Sequence, residues 1–299
     1  MHILILSRKR GLYSTKKLIE VAQKKGHEAS VCDPLSLFLV LDKKNPSIFF
    51  RKGMKKVHDV DVVLPRIGTS ITDHGIAVVN QFSMMGIPTV NKSQPIARSR
   101  DKFRCLQLLS RYDIDIPKTI MVRTPDQIGR AIKMVGGLPV ILKLLRGTQG
   151  IGVMLAHNQD SVESVLNTLW SLGQNIMIQE FVKESKGKDI RVLVVGGKVI
   201  TAMRREARVG EFRSNIHRGG SGRVVKIPEE YARAALEATK VIGLEIAGVD
   251  MLESKTGPKI VEINSSVGFE GLEKATGVDV AEVIIDYTVQ FAERSRLAR

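Results

Sequence analysis

Two apolar segments near the C-terminal end of the chain predict a β-hairpin that carries acidic residues. Residues 245–252 and 258–264 are the two strands, and the residues between them form a polar turn. Asp250 lies in the first strand, and Glu262 and Asn264 lie at the end of the second. Because side chains alternate along a strand, Glu262 and Asn264 share one face. Carboxylates on strands of this kind cost free energy on burial unless they bind a partner.

The three polar side chains of this hairpin predict a site for a divalent cation. Two carboxylates and an amide oxygen can converge on one face of the paired strands, and hard cations prefer oxygen ligands. A ligand set without sulfur or imidazole favours magnesium. Either carboxylate taken alone is equally compatible with an exposed strand end, so the prediction depends on the two acids together.

A second feature of the chain is suited to phosphate groups. The apolar run at 139–145 contains a single lysine, Lys143, and the glycine-rich sequence 147–152 follows it directly. A lysine at a sheet edge can also extend its amine to solvent, but the adjacent glycine loop favours a ligand. No G-x-x-x-x-G-K-[ST] sequence occurs in the chain. Together with the acidic hairpin, these features predict an enzyme that binds a magnesium nucleotide without a Walker loop.

The charge of the chain favours acidic partners. Lysine and arginine outnumber aspartate and glutamate by 46 to 31, which gives a net charge of +15. Nucleotides, acidic peptides and nucleic acids are the partners that such a surface attracts. Only four tyrosines and one tryptophan accompany the basic residues, so a platform for stacking bases is not expected. Non-specific affinity for RNA stays open, because it needs only phosphate contacts.

The sequence predicts a cytoplasmic protein without a membrane-spanning segment. Its 299 residues, of which 43% are hydrophobic, suffice for a large core divided among two or three lobes. No apolar stretch is long enough for a bilayer, and the N-terminus lacks the form of a signal peptide. The two cysteines, Cys32 and Cys105, lie in apolar surroundings without metal-ligand spacing. We expect buried thiols and no disulfide.

The order of predicted strands and helices indicates an α/β protein with three lobes. Strands and helices alternate over residues 1–95, which predicts an N-terminal, Rossmann-like α/β lobe. A connector helix that begins near Pro95 and ends near Tyr112, together with a small central lobe, would occupy residues 96–187. Residues 188–299 are rich in strands and contain the acidic hairpin, so α+β structure is expected in the central and C-terminal lobes. No G-x-G-x-x-G follows the first strand, so NAD binding is not expected.

A stretch at 204–220, between two predicted strands, is dense in groups that bind anions. Arginine offers a planar fork of donors for phosphate or carboxylate, and Ser214 and Asn215 add neutral hydrogen bonds. A solvated basic loop is the alternative, but the position of this stretch before the acidic hairpin favours a ligand. His217 has no cysteine or histidine partner nearby, so we expect it to be structural or to contact substrate.

Six short motifs distributed along the chain match one enzyme superfamily. They are Lys143 with its glycine loop, Gln179-Glu180-Phe181-Val182, Asp189-Ile190-Arg191, Phe212-Arg213-Ser214-Asn215, Asp250 and Glu262-Ile263-Asn264. These motifs resemble those of the ATP-grasp carboxylate-amine ligases, and the resemblance covers nearly the whole chain. It is close to the RimK type, a glutamate ligase that modifies the C-terminus of a small-subunit ribosomal protein. Longer sequences that carry this finer likeness lie at 66–69, 97–102, 215–220 and 268–273.

The resemblance implies an ATP-grasp fold and a role for each motif. The residues implied to contact ATP are Lys102, Lys143, Glu180, Phe181, Val182, Asp189, Arg213, Ser214 and Asn215. Residues 180–182 would hold the adenine, Asp189 would lie on the ribose side, and Lys143 and Arg213 would also be catalytic. The metal ligands would be Asp250, Glu262 and Asn264, holding two magnesium ions, with manganese as an alternative. Glutamate would be held by some of Arg191, Arg204, Arg205 and Arg218.

The same resemblance implies the reaction and its partners. ATP would phosphorylate an acceptor carboxylate, and the amine of glutamate would displace phosphate from the acylphosphate. The acceptor would be the acidic C-terminal tail of a ribosomal protein, and a homo-oligomer is expected. One alternative is the same chemistry on a small-molecule acceptor, and another is a non-catalytic, nucleotide-responsive protein that binds RNA or ribosomes. One residue departs from the family pattern, since Val267 stands where a proline usually precedes the glycine of the last motif.

Overall fold

The computed structural model describes residues 1–43, 45–145, 147, 152–214 and 219–297. Within these ranges the strands form four sheets with helices packed around them, which is a mixed α/β architecture. The predicted division into lobes at 1–95, 96–187 and 188–299 stays a prediction, and each described sheet falls inside one of the three. None of the helices in the described ranges has the length and apolar character needed to cross a membrane.

The N-terminal lobe contains a parallel sheet and a separate hairpin. Its elements are β1 His2–Leu6, α1 Tyr13–Lys24, β2 Glu28–Cys32, β3 Leu37–Val40, β4 Ser47–Phe50, β5 Val62–Pro65 and α2 Thr72–Met84. The parallel sheet has the order β2-β1-β5, and its central strand is almost entirely buried. Strands β3 and β4 form the antiparallel hairpin, which the sequence did not indicate because each strand is only four residues long. The carboxyl ends of β1 and β5 lie at one edge of the parallel sheet.

Residues 93–111 form two helices, so the prediction of a single connector helix is wrong. Helix α3 is Ser93–Arg100 and helix α4 is Lys102–Arg111. Asp101 between them has extended backbone angles, and its carboxylate accepts a hydrogen bond of 3.0 Å from the N–H of Arg104. Aspartate is favoured at helix N-caps because its side chain replaces a missing backbone partner. The break places Lys102 in the first turn of α4, where its amine reaches Glu262.

The central lobe is an antiparallel sheet with two helices. Its elements are β6 Thr119–Ile120, α5 Ile128–Met134, β7 Val140–Leu144, β8 Val153–Ala156, α6 Gln159–Ser171 and β9 Ile176–Glu180. The strand order is β6-β9-β7-β8. Along β7, Val140 and Leu142 are fully buried in a core with α5 and α6. Alternation therefore directs Ile141 and Lys143 to the opposite face of this central sheet.

The C-terminal lobe is built on a five-stranded antiparallel sheet of order β12-β11-β10-β13-β14. Its elements are β10 Lys188–Val195, β11 Lys198–Glu206, β12 Ser221–Val224, α7 Glu229–Ile242, β13 Ile246–Ser254, β14 Gly257–Asn264, α8 Glu270–Thr276 and α9 Val280–Leu297. Strands β13 and β14 confirm the predicted hairpin, with Lys255 and Thr256 at its turn. Helix α7 covers one face of this C-terminal sheet, where Val192 and Val249 are fully buried.

The two ends of the chain share one hydrophobic core. Helix α9 packs against α1, and the buried residues of this core come from both lobes. They include Ile3, Ile5 and Leu18 from the N-terminal lobe and Leu193, Phe269 and Ile284 from the C-terminal lobe. This shared packing fixes the loops that follow β1 and β5 next to the loop that follows β14.

Candidate functional site

A large cleft lies between the central sheet and the C-terminal sheet. It contains about 910 Å³ of empty space, part of it open to solvent, which is the size of a typical small-molecule site. The predicted site residues that line it are Lys102, Lys143, Glu180, Phe181, Val182, Asp189, Arg205, Arg213, Ser214, Asp250 and Glu262. The structure therefore brings most of the predicted residues together, although they are separated by up to 160 positions in the sequence.

The three predicted metal ligands are neighbours on the acidic hairpin. Asp250 on β13 lies directly opposite Glu262 on β14, and a β-bulge follows this pair. The bulge leaves both Val261 and Glu262 on the cleft side, which strict alternation would forbid. The amide of Asn264 donates to Oδ2 of Asp250 at 3.4 Å. Two carboxylates and an amide thus provide oxygen ligands of the kind that fits a hard cation.

The described residues contain no cluster of three or more His, Cys, Asp or Glu side chains suited to a metal ion. The acidic hairpin contributes two carboxylates, and its third candidate ligand is the amide of Asn264. A cation held here would need further oxygen ligands, and the phosphate groups of a nucleotide are the common source of them.

Asp250 is a buried carboxylate held by two arginines. Its side chain is 5% exposed, and Arg191 donates to it in a bidentate pair at 2.7 and 2.6 Å. Arg205 approaches the same carboxylate at 3.1 Å. Burial alone would raise the pKa of Asp250, but Arg191 and Arg205 lower it to about 2. The carboxylate is therefore ionised at neutral pH.

Arg205 links Asp250 to Asp189 at the wall of the cleft, which all three residues line. Its guanidinium donates to the two oxygens of Asp189 at 2.6 and 2.5 Å, and its side chain is 3% exposed. The prediction that Arg205 holds glutamate stays untested, and its donors are already used by two carboxylates. Asp189 lines the cleft, so its predicted place beside a ribose stays a prediction.

Arg204 lies on the opposite face of the C-terminal sheet from Arg205. Neighbouring residues of a strand alternate, so these two arginines of β11 cannot share a side. Arg204 donates to Glu253 at 2.7 Å on the face that α7 covers. The structure therefore does not bring Arg204 into the cleft, although the sequence grouped it with the glutamate-binding residues.

Other predicted residues fall outside the described ranges. They are Asn215 and Arg218, for which ATP and glutamate contacts were predicted, together with His217 and residues 148–151 of the glycine-rich loop. Gly147 at the start of that loop is described, and its carbonyl accepts a hydrogen bond of 3.0 Å from Lys102. Lys102 also donates to Glu262 at 3.0 Å.

Lys143 is a cation without an acidic partner among the described residues. Burial lowers its pKa from 10.5 to about 8, and the neighbouring charge of Lys102 adds to this, while Glu262 acts in the opposite direction. The ammonium group projects from β7 into the cleft that Lys102 and Glu262 also line. A bound anion would stabilise the charged form, so the electrostatics of this site favour a phosphate beside Lys143.

Replacing Lys143 by methionine is expected to stabilise the protein in the absence of nucleotide. Below pH 8 the lysine is charged in the folded and unfolded states, so the cost of burying it is fully present. The cost is lost as the pH rises through 8 toward 10.5, because the folded state releases the proton first. We expect the free energy of unfolding of Lys143→Met to exceed that of the wild type by about 2 kcal/mol at neutral pH.

Urea unfolding at pH 7 and near pH 10 measures this difference. The gain should shrink at the higher pH, and nucleotide binding should be lost at both. Lys133→Met on the exposed side of α5 is the matched control, with an expected change within about 0.5 kcal/mol. An unchanged or lower free energy of unfolding of Lys143→Met at pH 7 would contradict the inference that the buried charge of Lys143 destabilises the fold.

Residues 180–182 form one end of the cleft at the end of β9. The carboxylate of Glu180 accepts hydrogen bonds of 3.0 Å from the N–H of Lys118 and from the amine of Lys259. Burial would raise the pKa of Glu180, but these two partners hold it below its usual value. Since its carboxylate is occupied, a ligand would meet this segment through its main chain and the apolar side chains of Phe181 and Val182.

Arg213 projects from the loop before β12 toward the central sheet. It donates to both oxygens of Glu211 at 2.9 and 2.7 Å, and it lies 5.2 Å above the ring of Phe212. A weaker contact of 3.5 Å reaches the carbonyl of Val153 on β8. The hydrogen bond from Arg213 lowers the pKa of Glu211 to about 2. The sequence did not single out Glu211, because an acid in a basic loop has no distinctive spacing.

Several residues that line the cleft were not predicted from the sequence, although the alternation of side chains along a strand could have identified two of them. Ile141 precedes Lys143 by two positions on β7, and Leu252 follows Asp250 by two on β13. Val261 could not be found in this way, because it faces the cleft only through the bulge. These apolar side chains provide surface for the base of a nucleotide.

Comparison with known proteins matches both parts of the chain to described families. Residues 1–96 match the RimK PreATP-grasp domain, and residues 99–288 match the RimK-like ATP-grasp domain. A relative from Aliivibrio fischeri (strain MJ11), named probable alpha-L-glutamate ligase, is 51% identical over 296 residues. That match covers 99% of this chain and 98% of the relative.

Solved structures have the same fold. The crystal structure of RimK domain protein ATP-grasp from Sphaerobacter thermophilus DSM 20745 is similar, with a TM-score of 0.74 and 24% identity, over 97% of this chain and 100% of that one. The ATP-grasp ligase PsnB, complexed with minimal precursor, Mg and ADP, gives a TM-score of 0.74 and 19% identity over 98% of each chain. The predicted ATP-grasp fold and mixed α/β class are confirmed.

Proposed function

The chain belongs to the RimK-like ATP-grasp family and is an ATP-dependent, ADP-forming ligase, and from this premise we propose that it joins glutamate to the carboxylate of a protein or peptide. One observation carries the proposal. The cleft combines the paired acids Asp250 and Glu262 with two cations, Lys102 on α4 and Lys143 on β7 of the facing central sheet. Paired acids suit a divalent metal and adjacent cations suit the phosphates it bridges.

The donor set of the cleft fits a magnesium complex of ATP. We assign Asp250, Glu262 and Asn264 as the metal ligands, and we propose two ions, with manganese as an alternative. Magnesium supplies charge neutralisation on the phosphate groups when bound. The ion pairs of Asp250 with Arg191 and of Glu262 with Lys102 hold the two carboxylates in place at the cleft.

The nucleotide is assigned to the remaining cleft residues. The proposed contacts are Lys102, Lys143, Glu180, Phe181, Val182, Asp189, Arg213, Ser214 and Asn215. Residues 180–182 meet the adenine through main-chain groups, and Asp189 lies on the ribose side. Lys143 and Arg213 act on the transferred phosphoryl group, Lys143 because its desolvated ammonium has no acidic partner among the described residues.

The chemistry needs activation because a carboxylate is a poor electrophile. The γ-phosphoryl group of ATP passes to the acceptor carboxylate, which gives an acylphosphate and ADP. The amine of glutamate then attacks the carbonyl carbon, and phosphate leaves with one oxygen of the original carboxylate. Lys143 and Arg213 stabilise charge on the phosphoryl group during the first step. Positioning of the two substrates supplies much of the remaining rate enhancement.

The proposed acceptor is the acidic C-terminal tail of a ribosomal protein. The net charge of +15 supports an acidic macromolecular partner, because it attracts such a tail to the surface. Glutamate is proposed from the names of the relatives.

Mass spectrometry tests the acceptor directly. Acidic-tailed peptides, intact ribosomal proteins and small carboxylic acids are incubated separately with the protein, Mg-ATP and glutamate. We expect glutamyl additions at the C-termini of peptides or proteins, accompanied by ADP release. Additions confined to small acids would replace the proposed acceptor with a small molecule. No glutamyl product with any acceptor, in a preparation that binds Mg-ATP, would contradict the proposal.

A further inference from the structure

Two partly buried arginines outside the nucleotide cleft form no ion pair within the part of the chain that the structure describes. Arg66 follows β5 at the carboxyl end of the parallel sheet, and Arg100 is the last residue of α3. Neither forms an ion pair with an acidic side chain among the described residues. The positions outside the described ranges contain no aspartate or glutamate, so they offer no acidic side chain either.

Main-chain carbonyls hold the two guanidinium groups in place. Arg66 donates to the carbonyl of Val267 at 2.5 Å, and its guanidinium lies 5.7 Å from the ring centre of Phe269. Arg100 donates to the carbonyl of Ile67 and, at 3.4 Å, to the hydroxyl of Thr69. Both arginines are therefore fixed where the loop after β5 meets the loop after β14.

Two positive charges lie close together at this junction. Burial and, to a smaller extent, the nearby charge of Arg100 lower the pKa of Arg66 to about 10. Burial also lowers the pKa of Arg100, against the attraction of Glu262. Both groups remain cationic at neutral pH, so two like charges share a partly desolvated region. A bound anion would relieve this repulsion.

Unsatisfied hydrogen-bonding groups lie in the same region. Among the residues that the structure describes, Nε of Arg100 is buried without a hydrogen-bond partner, and so are the hydroxyl groups of Ser265 and Ser266. Buried polar atoms are almost always paired in folded proteins, so these three atoms have hydrogen-bonding capacity left for a water molecule or a ligand. Ser266 directly precedes Val267, whose carbonyl accepts the hydrogen bond from Arg66.

The junction has space for a ligand and lies beside the metal end of the cleft. A side-chain carbon built on Gly68 or on Gly268 would meet nothing within 4 Å, so open space adjoins both loops. Glu262 contributes to the electrostatics of Arg100, which places this arginine near the acidic hairpin. The phosphates of a nucleotide have their own cations in Lys102 and Lys143, so the anion expected here is a different one.

We propose that Arg66 and Arg100 form a carboxylate-binding subsite that holds an acidic substrate next to the acidic hairpin. Guanidinium forks match carboxylates, and the orphaned Nε of Arg100 and the hydroxyl groups of Ser265 and Ser266 supply further donors. Assignment of the carboxylate to a ligation substrate rests on the proposed function. Free glutamate and the acidic end of the acceptor carry the same group, and separate measurements distinguish them.

Equilibrium binding tests the subsite without turnover. Glutamate and an acidic-tailed peptide are titrated separately into wild type, Arg66→Gln and Arg100→Gln in the presence of magnesium and a non-hydrolysable ATP analogue. We expect the Kd of one carboxylate ligand to rise about 10- to 100-fold in both variants, because each loses a charge-assisted hydrogen bond. The Kd of the ATP analogue should change by less than about threefold.

Arg98→Gln is the matched control for this experiment. Arg98 lies on the same helix, but it donates to the carbonyl of Ile242 at 3.4 Å, far from the junction. Its replacement should leave every Kd unchanged. Thermal melting checks that the variants are folded. Arg66→Lys or Arg100→Lys replaces any glutamine variant that does not fold. These lysine variants keep the positive charge but lose the planar guanidinium, so they should still weaken carboxylate binding about fivefold or more.

The outcomes separate this subsite from the proposed ligase activity. Three results would overturn the subsite. They are unchanged Kd values for both carboxylate ligands in the variants, a Kd of the ATP analogue that rises as much as the Kd of the carboxylate ligand, and no binding of either carboxylate ligand to wild type. Arginine-dependent binding without a glutamyl product would leave the subsite standing and contradict the proposed function. Glutamyl transfer by both variants with the wild-type KM for glutamate and acceptor would contradict the subsite alone.

Discussion

Asp250→Asn is expected to abolish ligation and to destabilise the fold, whereas Glu262→Gln is expected to abolish ligation with little effect on stability. Each substitution removes a proposed metal ligand, so kcat should fall by about a thousandfold or more in both. The two carboxylates differ in burial. Asp250 is 5% exposed and is paired with Arg191 and Arg205, while Glu262 is 32% exposed and, within the described ranges, is paired only with Lys102.

The difference in stability follows from what each substitution leaves behind. Asp250→Asn leaves the buried guanidinium of Arg205 and the guanidinium of Arg191, whose side chain is 16% exposed, without a full countercharge. Loss of the charge on a buried, ion-paired carboxylate costs about 3–5 kcal/mol. Gln at position 262 leaves one lysine that can still bond to the carbonyl of Gly147, so the cost should stay below about 1 kcal/mol.

Urea unfolding of the two variants, with ADP release measured in parallel, checks this split. Equal loss of stability in both variants would show that the ion pairs of Asp250 with Arg191 and Arg205 do not stabilise the fold more than the ion pair of Glu262 with Lys102. Retention of ADP release in either variant would remove that carboxylate from the proposed metal site.

Arg205→Leu is expected to produce the second large effect, a loss of about 3–5 kcal/mol in the free energy of unfolding. Arg205 is 3% exposed and joins Asp189 to Asp250, so its removal leaves two buried carboxylates without this partner. Asp250 would also lose one of the two arginines that orient it, and kcat should fall at least about tenfold.

Arg204→Leu is the matched control, because it replaces the adjacent arginine of the same strand. Arg204 is 23% exposed and pairs with Glu253, itself 33% exposed, on the face away from the cleft. Its loss should cost about 1 kcal/mol or less and should leave kcat and KM unchanged. If Arg205→Leu instead kept wild-type stability and raised only the KM for glutamate, Arg205 would be a substrate-binding residue, as the sequence predicted.

Much of the site could be predicted because its residues follow short-range rules. The polar turn between two apolar segments predicted the acidic hairpin, and the lone lysine of an apolar strand predicted the cleft position of Lys143. Alternation, a property of any strand, then placed Glu262 and Asn264 on one side. These inferences needed no knowledge of distant contacts.

The errors arose where a local exception or a long-range partner decides the outcome. The cap formed by Asp101 divides the connector into α3 and α4, and the bulge turns Val261 into the cleft. Arg204 was grouped with Arg205 although alternation already separates them. The pairing of Arg205 with Asp189 and the meeting of Arg66 with Val267 join distant parts of the chain, which no local pattern reveals.

The most direct test of the account follows the oxygen of the acceptor carboxylate. An acceptor identified by mass spectrometry is prepared with ¹⁸O in its C-terminal carboxylate and is incubated with the protein, Mg-ATP and unlabelled glutamate. Ligation through an acylphosphate transfers one labelled oxygen to the released phosphate for each amide bond formed, and the account predicts this result. Label in AMP would indicate activation by adenylation, and phosphate without label would indicate hydrolysis of ATP uncoupled from the carboxylate; either result would contradict the account.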